Sequence, residues 1–571
     1  AGTNNKVAST IAGSDIEMPG CRYGADDVVK AVEEGRLDIK YVDECVMRVL
    51  NLIEKTTKGE KGKPFDKEAH HDLAKDCADE CVVLLKNEGV LPISAKTRVA
   101  IVGDFARKPR YQGAGSSIVN PTKLESAMEN TREFPFDVIG YADGYERYGK
   151  HKTVHIERAV DLAKKADVTL LFAGLDEFSE AEGLDRPDIT MPANQIAVYK
   201  ALKAAGCKVV LVLACGSAVY LDWARDADAI VYAGLTGQAG AVAVLDAVCG
   251  KVNPSGKLAE TWSAPEAVCA SESYFPGKQM TCEYREGPYV GYRYFDKTEK
   301  PVEFPFGFGL SYTKFEYSDL SADENGVTFT IKNVGDCDGA EIAQMYVGKP
   351  DGKVFRPAKE LKGFKKVFIK AGESVKVSIP FDDKTFRYFD AESNSWEVEG
   401  RSYAVYIAAS SRDIRLQTEV TRVGTKEKCP YDGAKLPSYY SGNVEHVGDE
   451  EFKELLGREI PKSGYNFYKK NRMVIHENCT VADLRYSRRW VGRLFSGAIR
   501  FAIRVLTAFG NKTMANTLVM GVLHQPVRGL AKFGGMSRRQ MEALIMMFNG
   551  HLFKGIFRFL SKDKSKKEVK A

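Results

Sequence analysis

Four short apolar runs, separated by helical segments, constrain the fold of this chain most strongly. The runs read RVAIVGDF, DVTLLFAGL, KVVLVLACG and AIVYAGL, and the segments IERAVDLAKKA and NQIAVYKALKAAG lie between some of them. Continuous apolar strands that alternate with helices are typical of a mostly parallel sheet covered on both faces. The sequence therefore predicts an α/β domain, and 571 residues leave room for further domains.

A second pattern follows a connector that is rich in Pro, Gly and Tyr. Val327, Phe329 and Ile331 are separated by single polar residues, and the same alternation recurs over 375–379. Short strands with a period of two, bounded by turn residues, indicate an antiparallel β-sandwich of about a hundred residues.

Both ends of the chain are predicted to be helical. Near the start, one helical stripe contains Val42, Cys45, Val46, Val49, Leu50 and Ile53. This region looks like the closing helices of a domain whose beginning is missing. Near the end, RRWVGRLFSGAIRFAIRVLTAFG combines an arginine face with apolar residues, and its arginines are too frequent for a membrane span. We expect these basic helices to pack on protein, including a second subunit, or to lie on a membrane surface.

Composition narrows the class of protein. Hydrophobic residues make up 44% and charged residues 28% of the chain, as in ordinary globular proteins. The 12 cysteines include no CxxC pair, so a zinc or thioredoxin-like site is not indicated and a reducing, cytosolic location is expected. The eight dispersed histidines give no metal constellation. Basic aromatic segments such as RYSRRW lack a recognised nucleic-acid-binding context, so no nucleic acid is expected as a partner.

The candidate chemistry lies in EAEGLDR, directly after the apolar run DVTLLFAGL. Ligands collect beyond the carboxyl ends of parallel strands, which places this loop, QGAGSS and Cys215-Gly216-Ser217 near one sheet edge. A carboxylate there is partly desolvated, which raises its pKa and suits it to proton donation. Arg186 either pairs with Asp185 or holds the loop, and Gly183 permits a sharp turn. Local chemistry alone leaves a solvated, self-neutralising surface loop as the other reading.

The small-residue loop QGAGSS does not fit a dinucleotide site. Ile118 stands where the fingerprint requires a third Gly, and the glycines lie several residues beyond the strand. What remains is a flexible loop whose hydroxyls and amides can bond a polar ligand.

Taken together, the segments resemble the C-terminal part of glycoside hydrolase family 3, the family of many β-glucosidases. The similar motifs occur in the family's order: AGSDIEMPG, CVVLLKNEGVLPI, QGAGSSIVNP, EAEGLDRPDITMPANQ, NPSGKLAETW, YREGPYVGYRYFD, FPFGFGLSYTKFEYS and ELKGFKKVFIKAGES. The similarity runs from about residue 1 to about residue 425. It implies an α/β sandwich followed by a fibronectin type III-like domain, with no cofactor.

The resemblance also implies roles for individual residues. Glu182 matches the general acid/base of the family, with Glu180 and Glu177 as alternative acids because a shift of two residues on this loop is hard to exclude. Ser116 matches a position that reaches the sugar in the −1 subsite of some relatives. The implied reaction is retaining hydrolysis of a β-glycoside by two carboxyl groups.

The nucleophile of the family is an Asp near a DWG motif, a few residues before the segment that matches the start of this sequence. We therefore expect a fragment or one piece of a split enzyme, which lacks most of the sugar-binding (β/α)8 barrel and is inactive alone. Asp15 and Glu17 are poor substitutes, because EMPG is a barrel-end element in relatives. The expected partners are a β-glucoside or oligosaccharide substrate and the missing barrel.

The predicted domains are a barrel end with linker (1–60), the α/β sandwich (61–265), a connector (266–310), the fibronectin type III-like domain (311–425), and a linker with a basic helical extension (426–571). Two other functional readings remain. In the first, the chain is a non-catalytic carbohydrate-binding or assembly module. In the second, the enzyme has a β-xylosidase-type specificity.

Overall fold

The computed structural model describes residues 3, 5–18, 20, 24–149, 152–186, 188–275, 281–426, 428–461, 465–470 and 472–561. Contacts group the chain into two compact units. The first unit comprises 1–65, 182–184 and 462–571, and the second comprises 66–181 and 185–461. The predicted fold class, an α/β domain with a β-sandwich and C-terminal helices, is confirmed.

The first unit begins with helices α1 (Lys6–Ile11), α2 (Gly24–Glu33) and α3 (Ile39–Thr57). The Asp38 side chain caps α3 by accepting a hydrogen bond from the amide of Lys40. The predicted apolar stripe lies on α3, but only part of it is covered. Cys45 is buried, whereas Val46, Leu50 and Ile53 are each about half exposed.

The second unit is built on a six-stranded sheet with the strand order β1-β6-β5-β4-β2-β3. Its elements are α4 (Lys67–Asp79), β1 (Val83–Asn87), β2 (Arg98–Val102), α5 (Ala127–Asn130), β3 (Asp137–Ala142), α6 (Thr153–Ala163), β4 (Val168–Gly174), α7 (Ala193–Ala204), β5 (Val209–Ala214), β6 (Ala229–Tyr232) and α8 (Gly240–Cys249). Strands β2 to β6 pair in parallel, and β1 pairs antiparallel with β6.

Burial explains which strands the sequence pattern could reveal. Every residue of β4 is buried, and β5 is buried up to its last residue, as expected for central parallel strands. Strand β3 lies at the sheet edge, and most of its residues are only partly covered. Its sequence DVIGYA therefore lacks a continuous apolar run, and the sequence patterns did not identify it as a strand.

A connector joins this sheet to the β-sandwich inside the second unit. It contains β7 (Trp262–Ser263), α9 (Tyr292–Lys297) and β8 (Val302–Phe304). The Asn253 carboxamide accepts hydrogen bonds from the Ser311 hydroxyl and the Tyr312 amide, and it donates to the carbonyl of Asp338 in the sandwich. Polar side chains thus fix the sandwich against the α/β core.

The sandwich comprises β9 (Phe315–Ala322), β10 (Gly326–Asn333), β11 (Gly339–Gly348), β12 (Glu360–Ile369), β13 (Ser374–Pro380), β14 (Arg387–Asp390), β15 (Ser395–Val398), β16 (Arg401–Ser410) and β17 (Asp413–Arg422). One sheet has the order β13-β10-β9 and the other β12-β11-β16-β17. The predicted alternation is confirmed, because Val327, Phe329 and Ile331 are all buried between the sheets.

The segment that follows the sandwich belongs to the second unit up to residue 461. It contains α10 (Pro437–Ser441) and α11 (Asp449–Leu456). Tyr439 and Phe452 from these helices share a small core with Tyr289 and Tyr294 of the connector. The sequence analysis grouped this segment with the helical extension, because its few apolar residues show no period before their partners are known.

The remaining helices lie in the first unit. They are α12 (Tyr465–Lys470), α13 (Trp490–Ala508), α14 (Lys512–Leu518), α15 (Val527–Phe533), α16 (Arg538–Phe548) and α17 (Leu552–Leu560), with a π-helical turn between α14 and α15. Their core contains Val481, Leu484, Val527, Met541 and Phe548. Within the described residues, none of the helices combines the length and apolar composition that a bilayer crossing requires.

Candidate functional site

The candidate site is built on loops that follow the carboxyl ends of β4 and β5, two neighbouring strands. Gly174 ends β4 so close to β5 that an added Cβ would lie 1.9 Å from the carbonyl oxygen of Ala214. The buried Gln195 carboxamide accepts a hydrogen bond from the amide of Gly174 at 2.9 Å and donates one to its carbonyl at 3.0 Å. The exit of the acid loop from the sheet is therefore held firmly.

The first turn of the acid loop is formed by Asp176, which is buried. Its carboxylate accepts hydrogen bonds from the amides of Phe178 and Ser179, both at 2.8 Å. Such a bond pattern turns the backbone without regular secondary structure. The turn directs Glu177 and Glu180 to different neighbours.

Glu180 is anchored to the loop that follows β5. Its carboxylate accepts hydrogen bonds from the amide of Gly216 and the hydroxyl of Ser217, each at 2.8 Å. Arg186 donates to the Ser217 hydroxyl at 2.7 Å and lies 3.8 Å from the Glu180 carboxylate. The two loops that the sequence placed at one edge are thus joined by one polar network, in which Arg186 holds the loop.

Glu177 is held by a different pair of residues. Arg147 lies 2.9 Å from its carboxylate, and the Tyr148 hydroxyl donates to it at 2.6 Å. Burial disfavours the charged carboxylate, but the hydrogen bond from Tyr148 and the charge of Arg147 outweigh it and lower the pKa of Glu177. A general acid requires the opposite shift, so this environment does not suit Glu177 to proton donation.

Arg110 joins the small-residue loop to the acid loop. Its guanidinium is buried and donates to the carbonyls of Leu175, at 3.3 Å, and Glu180, at 3.0 Å. It also donates to the carbonyl of Gln112. The sequence carries no signal for Arg110, Arg147 or Tyr148, because only the folded chain brings them to this loop.

The loop that contains Ser116 is closed by Gln112. The Gln112 carboxamide accepts from the amide of Val119 at 2.9 Å and donates to its carbonyl at 3.1 Å. Gly115 has φ +118°, a backbone conformation that favours glycine. Ser116 and Ser117 are exposed at the end of this loop, so their hydroxyls are accessible from solvent.

Glu182, Gly183 and Leu184 belong to the first unit by their contacts. Glu182 is exposed. Gly183 has φ +75°, and an added Cβ would lie 3.1 Å from the side chain of Met520. The predicted sharp turn at Gly183 therefore has the backbone conformation that glycine allows. Asp185, in the second unit, is exposed.

The carboxylates near the start of the chain have basic partners in the first unit. Asp15 pairs with Arg48 at 2.9 Å, and Glu17 pairs with Lys532. Neither environment resembles that of an unpaired attacking nucleophile. Among the described residues there is no group of three or more His, Cys, Asp or Glu side chains that could hold a metal ion.

A cavity of about 490 Å³ opens beside the Glu180 network in the second unit. Its lining includes Arg186, Ser217, Glu260, Arg293 and Tyr294. Polar groups line one part of the cavity, and aromatic rings of the connector line another.

Two parts of the chain match known protein families. Residues 82–312 match the glycosyl hydrolase family 3 C-terminal domain, and residues 341–411 match a fibronectin type III-like domain. Thermostable beta-glucosidase B of Acetivibrio thermocellus is 40% identical over 435 residues, which cover 73% of this chain and 57% of that protein. An exo-alpha-(1->6)-L-arabinopyranosidase of Bifidobacterium breve is 38% identical, over 75% of this chain and 59% of that protein.

Solved structures show the same likeness. The crystal structure of the GH3 beta-glucosidase of Bifidobacterium adolescentis has a TM-score of 0.70 to this chain at 38% identity, and the match covers 77% of this chain and 67% of that one. The chain spans a little under three fifths of the length of the two curated relatives above.

Proposed function

Because this chain belongs to glycoside hydrolase family 3, we propose that it is part of a retaining β-glycosidase of the β-glucosidase type and supplies Glu182 as the general acid/base. In the first step Glu182 donates a proton to the leaving glycosidic oxygen while an Asp attacks the anomeric carbon. In the second step the Glu182 carboxylate takes a proton from water while the water oxygen attacks the anomeric carbon, and the bond between the sugar and that Asp breaks.

One observation carries the choice of Glu182: of the three glutamates of the loop, it is the one whose residue is exposed, whereas Glu177 and Glu180 are partly buried. The other two glutamates of the loop are engaged in fixing the fold: Glu177 with Arg147 and Tyr148, and Glu180 with Gly216 and Ser217. Glu182 is exposed, so a substrate can approach it. Proton transfer requires that approach to within hydrogen-bond reach of the leaving oxygen.

We propose that the attacking Asp comes from a barrel segment outside this chain. Asp15 and Glu17 are paired with Arg48 and Lys532, which argues against either as the nucleophile. The half-exposed apolar residues of α3, Val46, Leu50 and Ile53, offer a surface on which further barrel structure can pack.

The expected substrate is a terminal β-D-glucoside, because the similar proteins include beta-glucosidases. The similarity to an exo-alpha-(1->6)-L-arabinopyranosidase keeps α-L-arabinopyranosides in the substrate panel. β-Xylosides stay in the panel because most contacts to the sugar are expected from the barrel outside this chain. Ser116 is proposed to contact the sugar, since its hydroxyl is exposed at the end of the loop that Gln112 closes.

The test is to assay the chain alone and together with a family 3 barrel segment, either fused before residue 1 or added separately, on aryl β-glucosides, β-xylosides and α-L-arabinopyranosides. We expect turnover only with the barrel. Appreciable turnover by the chain alone would contradict the assignment of the nucleophile to the barrel.

Glu182→Gln in the reconstituted enzyme tests the acid/base assignment. Hydrolysis of substrates with poor leaving groups should fall by roughly 10²–10⁴-fold, and that of activated aryl glycosides should fall less. Azide should restore turnover of the activated substrates, because it attacks the glycosyl-enzyme without needing a base. Undiminished activity of the variant would exclude Glu182.

The alternative is a non-catalytic carbohydrate-binding or assembly module. It predicts that the reconstituted protein binds oligosaccharides without hydrolysing any member of the panel. Sugar binding measured by calorimetry, with no release of reducing ends, would favour this alternative over the proposed enzyme.

A further inference from the structure

Helix α17 of the first unit buries its smallest residue and exposes its largest ones. Gly555 faces α16 so closely that an added Cβ would lie 2.3 Å from Met547 and 2.8 Å from the carbonyl of Ala543. On the opposite side, Phe553, Phe557 and Leu560 are 85%, 77% and 76% exposed. At about 100° per residue these three side chains share one face. The close packing at Gly555 prevents the helix from rotating that face inward.

Helix α13 of the same unit also exposes large apolar residues, although its Val491, Ile499 and Ile503 pack on the core. Gly492 and Ser496 are buried, whereas Leu494 and Phe501 are 63% and 68% exposed. Trp490 lies on the exposed face with them and is 58% exposed. An ordinary helix of a globular protein turns its large apolar residues toward the core, so large apolar residues exposed on two helices indicate a binding surface.

The sequence segment that contains these helices is strongly basic, and this charge indicates what their exposed faces can bind. From Arg485 to Ala571 the sequence contains 18 Lys or Arg and only three acidic residues, Glu542, Asp563 and Glu568. Lys554 and Arg558 lie on α17 itself, and Glu542 is engaged by Arg558. A second copy of this chain would bring the same positive charge to the contact and would be repelled. A negatively charged surface with an apolar interior complements both the charge and the aromatic face.

We propose that the exposed faces of α13 and α17 bind the surface of an anionic lipid bilayer. The Phe, Leu and Trp side chains enter the boundary between headgroups and acyl chains, and the Lys and Arg side chains contact the lipid phosphates. The helices lie in the plane of the interface. This surface is independent of the proposed glycosidase activity, because none of its residues belongs to the acid loop.

The test is co-sedimentation of the full 571-residue chain with vesicles of phosphatidylcholine alone or mixed with phosphatidylglycerol. We expect binding to the mixed vesicles at low salt and much weaker binding to the neutral ones. At about 1 M salt the Debye length falls to about 3 Å, so the binding should decrease sharply. Absence of binding to anionic vesicles at low salt would overturn the proposal.

A double substitution and a matched control locate the surface. Phe553→Ser with Phe557→Ser should weaken vesicle partitioning by about tenfold or more, because two aromatic side chains no longer leave water. Phe364→Ser with Phe368→Ser is the control, since those rings on β12 are 65% and 63% exposed and also have lysines beside them. Equal losses in the two double variants would overturn the assignment to α17.

Trp490 provides a direct readout from α13. In a Trp396→Phe background, the exposed Trp396 of β15 no longer contributes to the fluorescence. Vesicles with brominated acyl chains should then quench the emission, and Trp490→Phe should remove most of that quenching. Quenching that survives Trp490→Phe would contradict insertion of α13. Sedimentation equilibrium of the wild type and of the Phe553→Ser, Phe557→Ser double variant tests whether the surface joins two copies of the chain instead. If the double variant dissociates an oligomer and leaves vesicle binding unchanged, the surface is not a lipid site.

Discussion

The guanidinium of Arg110 donates a hydrogen bond to the backbone carbonyl of Glu180, with 3.0 Å between Nη2 and the oxygen. The two residues are 70 positions apart and belong to different loops. Arg110 also bonds the carbonyls of Gln112 and Leu175, so one buried side chain sets the spacing between the small-residue loop and the acid loop. The polar side chains that flank the candidate acid therefore depend on a residue that does no chemistry itself.

Arg110→Met should destabilise the second unit. The substitution removes hydrogen bonds from a charged donor to three carbonyls, of which that of Leu175 is buried and the other two are partly buried, and the loss costs about 2–3 kcal/mol. Urea denaturation followed by tryptophan fluorescence measures the change. The neighbouring Arg107 is largely exposed, so Arg107→Met should change stability by about 0.5 kcal/mol or less. Equal stability of the two variants would contradict the role given to Arg110.

Glu180→Gln distinguishes an anchoring carboxylate from an acid/base. A neutral carboxamide keeps a carbonyl oxygen for Ser217 or Gly216 but loses the charge that faces Arg186, so thermal stability should fall. In the enzyme reconstituted with the barrel, kcat should fall to a similar degree for substrates with good and poor leaving groups. Azide should not restore the activity. Ser217→Ala, which removes one bond to the same carboxylate, should show a milder form of the same behaviour. A selective loss on poor leaving groups, rescued by azide, would move the acid/base from Glu182 to Glu180.

Glu177→Gln should alter the pH dependence of stability. The pKa of Glu177 is lower in the folded protein than its ordinary value of 4.5, so its ionised form stabilises the fold above that pH. The contribution disappears as the pH falls through the folded-state pKa. The free energy of unfolding of the wild-type protein should therefore exceed that of the variant by about 1 kcal/mol near pH 7, and the two should converge once the pH is below the folded-state pKa.

Thermal melts between neutral and acid pH follow this difference. Glu88→Gln is a suitable control, because Glu88 is exposed and only 3.3 Å from the lysine Lys86 at the protein surface. A constant offset between wild type and Glu177→Gln at all pH values would show that packing, and not the charge of Glu177, causes the effect.

Lys75→Met should destabilise the α/β core. The Lys75 ammonium lies 2.6 Å from both Asp79 and the fully buried Asp246, which joins α4 to α8. Removing the ammonium leaves the buried Asp246 carboxylate with less positive charge beside it, which should lower the free energy of unfolding by about 3 kcal/mol. Lys251 also pairs with Asp246, at 3.2 Å, but it is 66% exposed, so Lys251→Met should cost far less. Chemical denaturation measures the stability of both variants, and a larger loss of stability in Lys251→Met than in Lys75→Met would refute this ranking.

The fold class was predictable from local patterns. Continuous apolar runs revealed the central strands, because a strand buried on both faces has apolar residues at every position. The alternation around Phe329 revealed the sandwich, because a strand buried on one face has apolar residues at every second position. The edge strand β3 was missed because it is only half covered. The order of motifs was sufficient to identify the family.

The sequence by itself therefore determined the kinds of layers, the family, and a short loop with three candidate glutamates. Only the tertiary structure decided what Glu177 and Glu180 contact, because their partners Arg147, Arg110 and Ser217 are 30 or more residues away along the chain. It also decided which faces of α13 and α17 are exposed. An amphipathic pattern predicts that large apolar residues pack inward, but the close contact at Gly555 turns them outward. Periodicity records local preference, whereas hydrogen bonds and packing between distant segments exist only after the chain has folded.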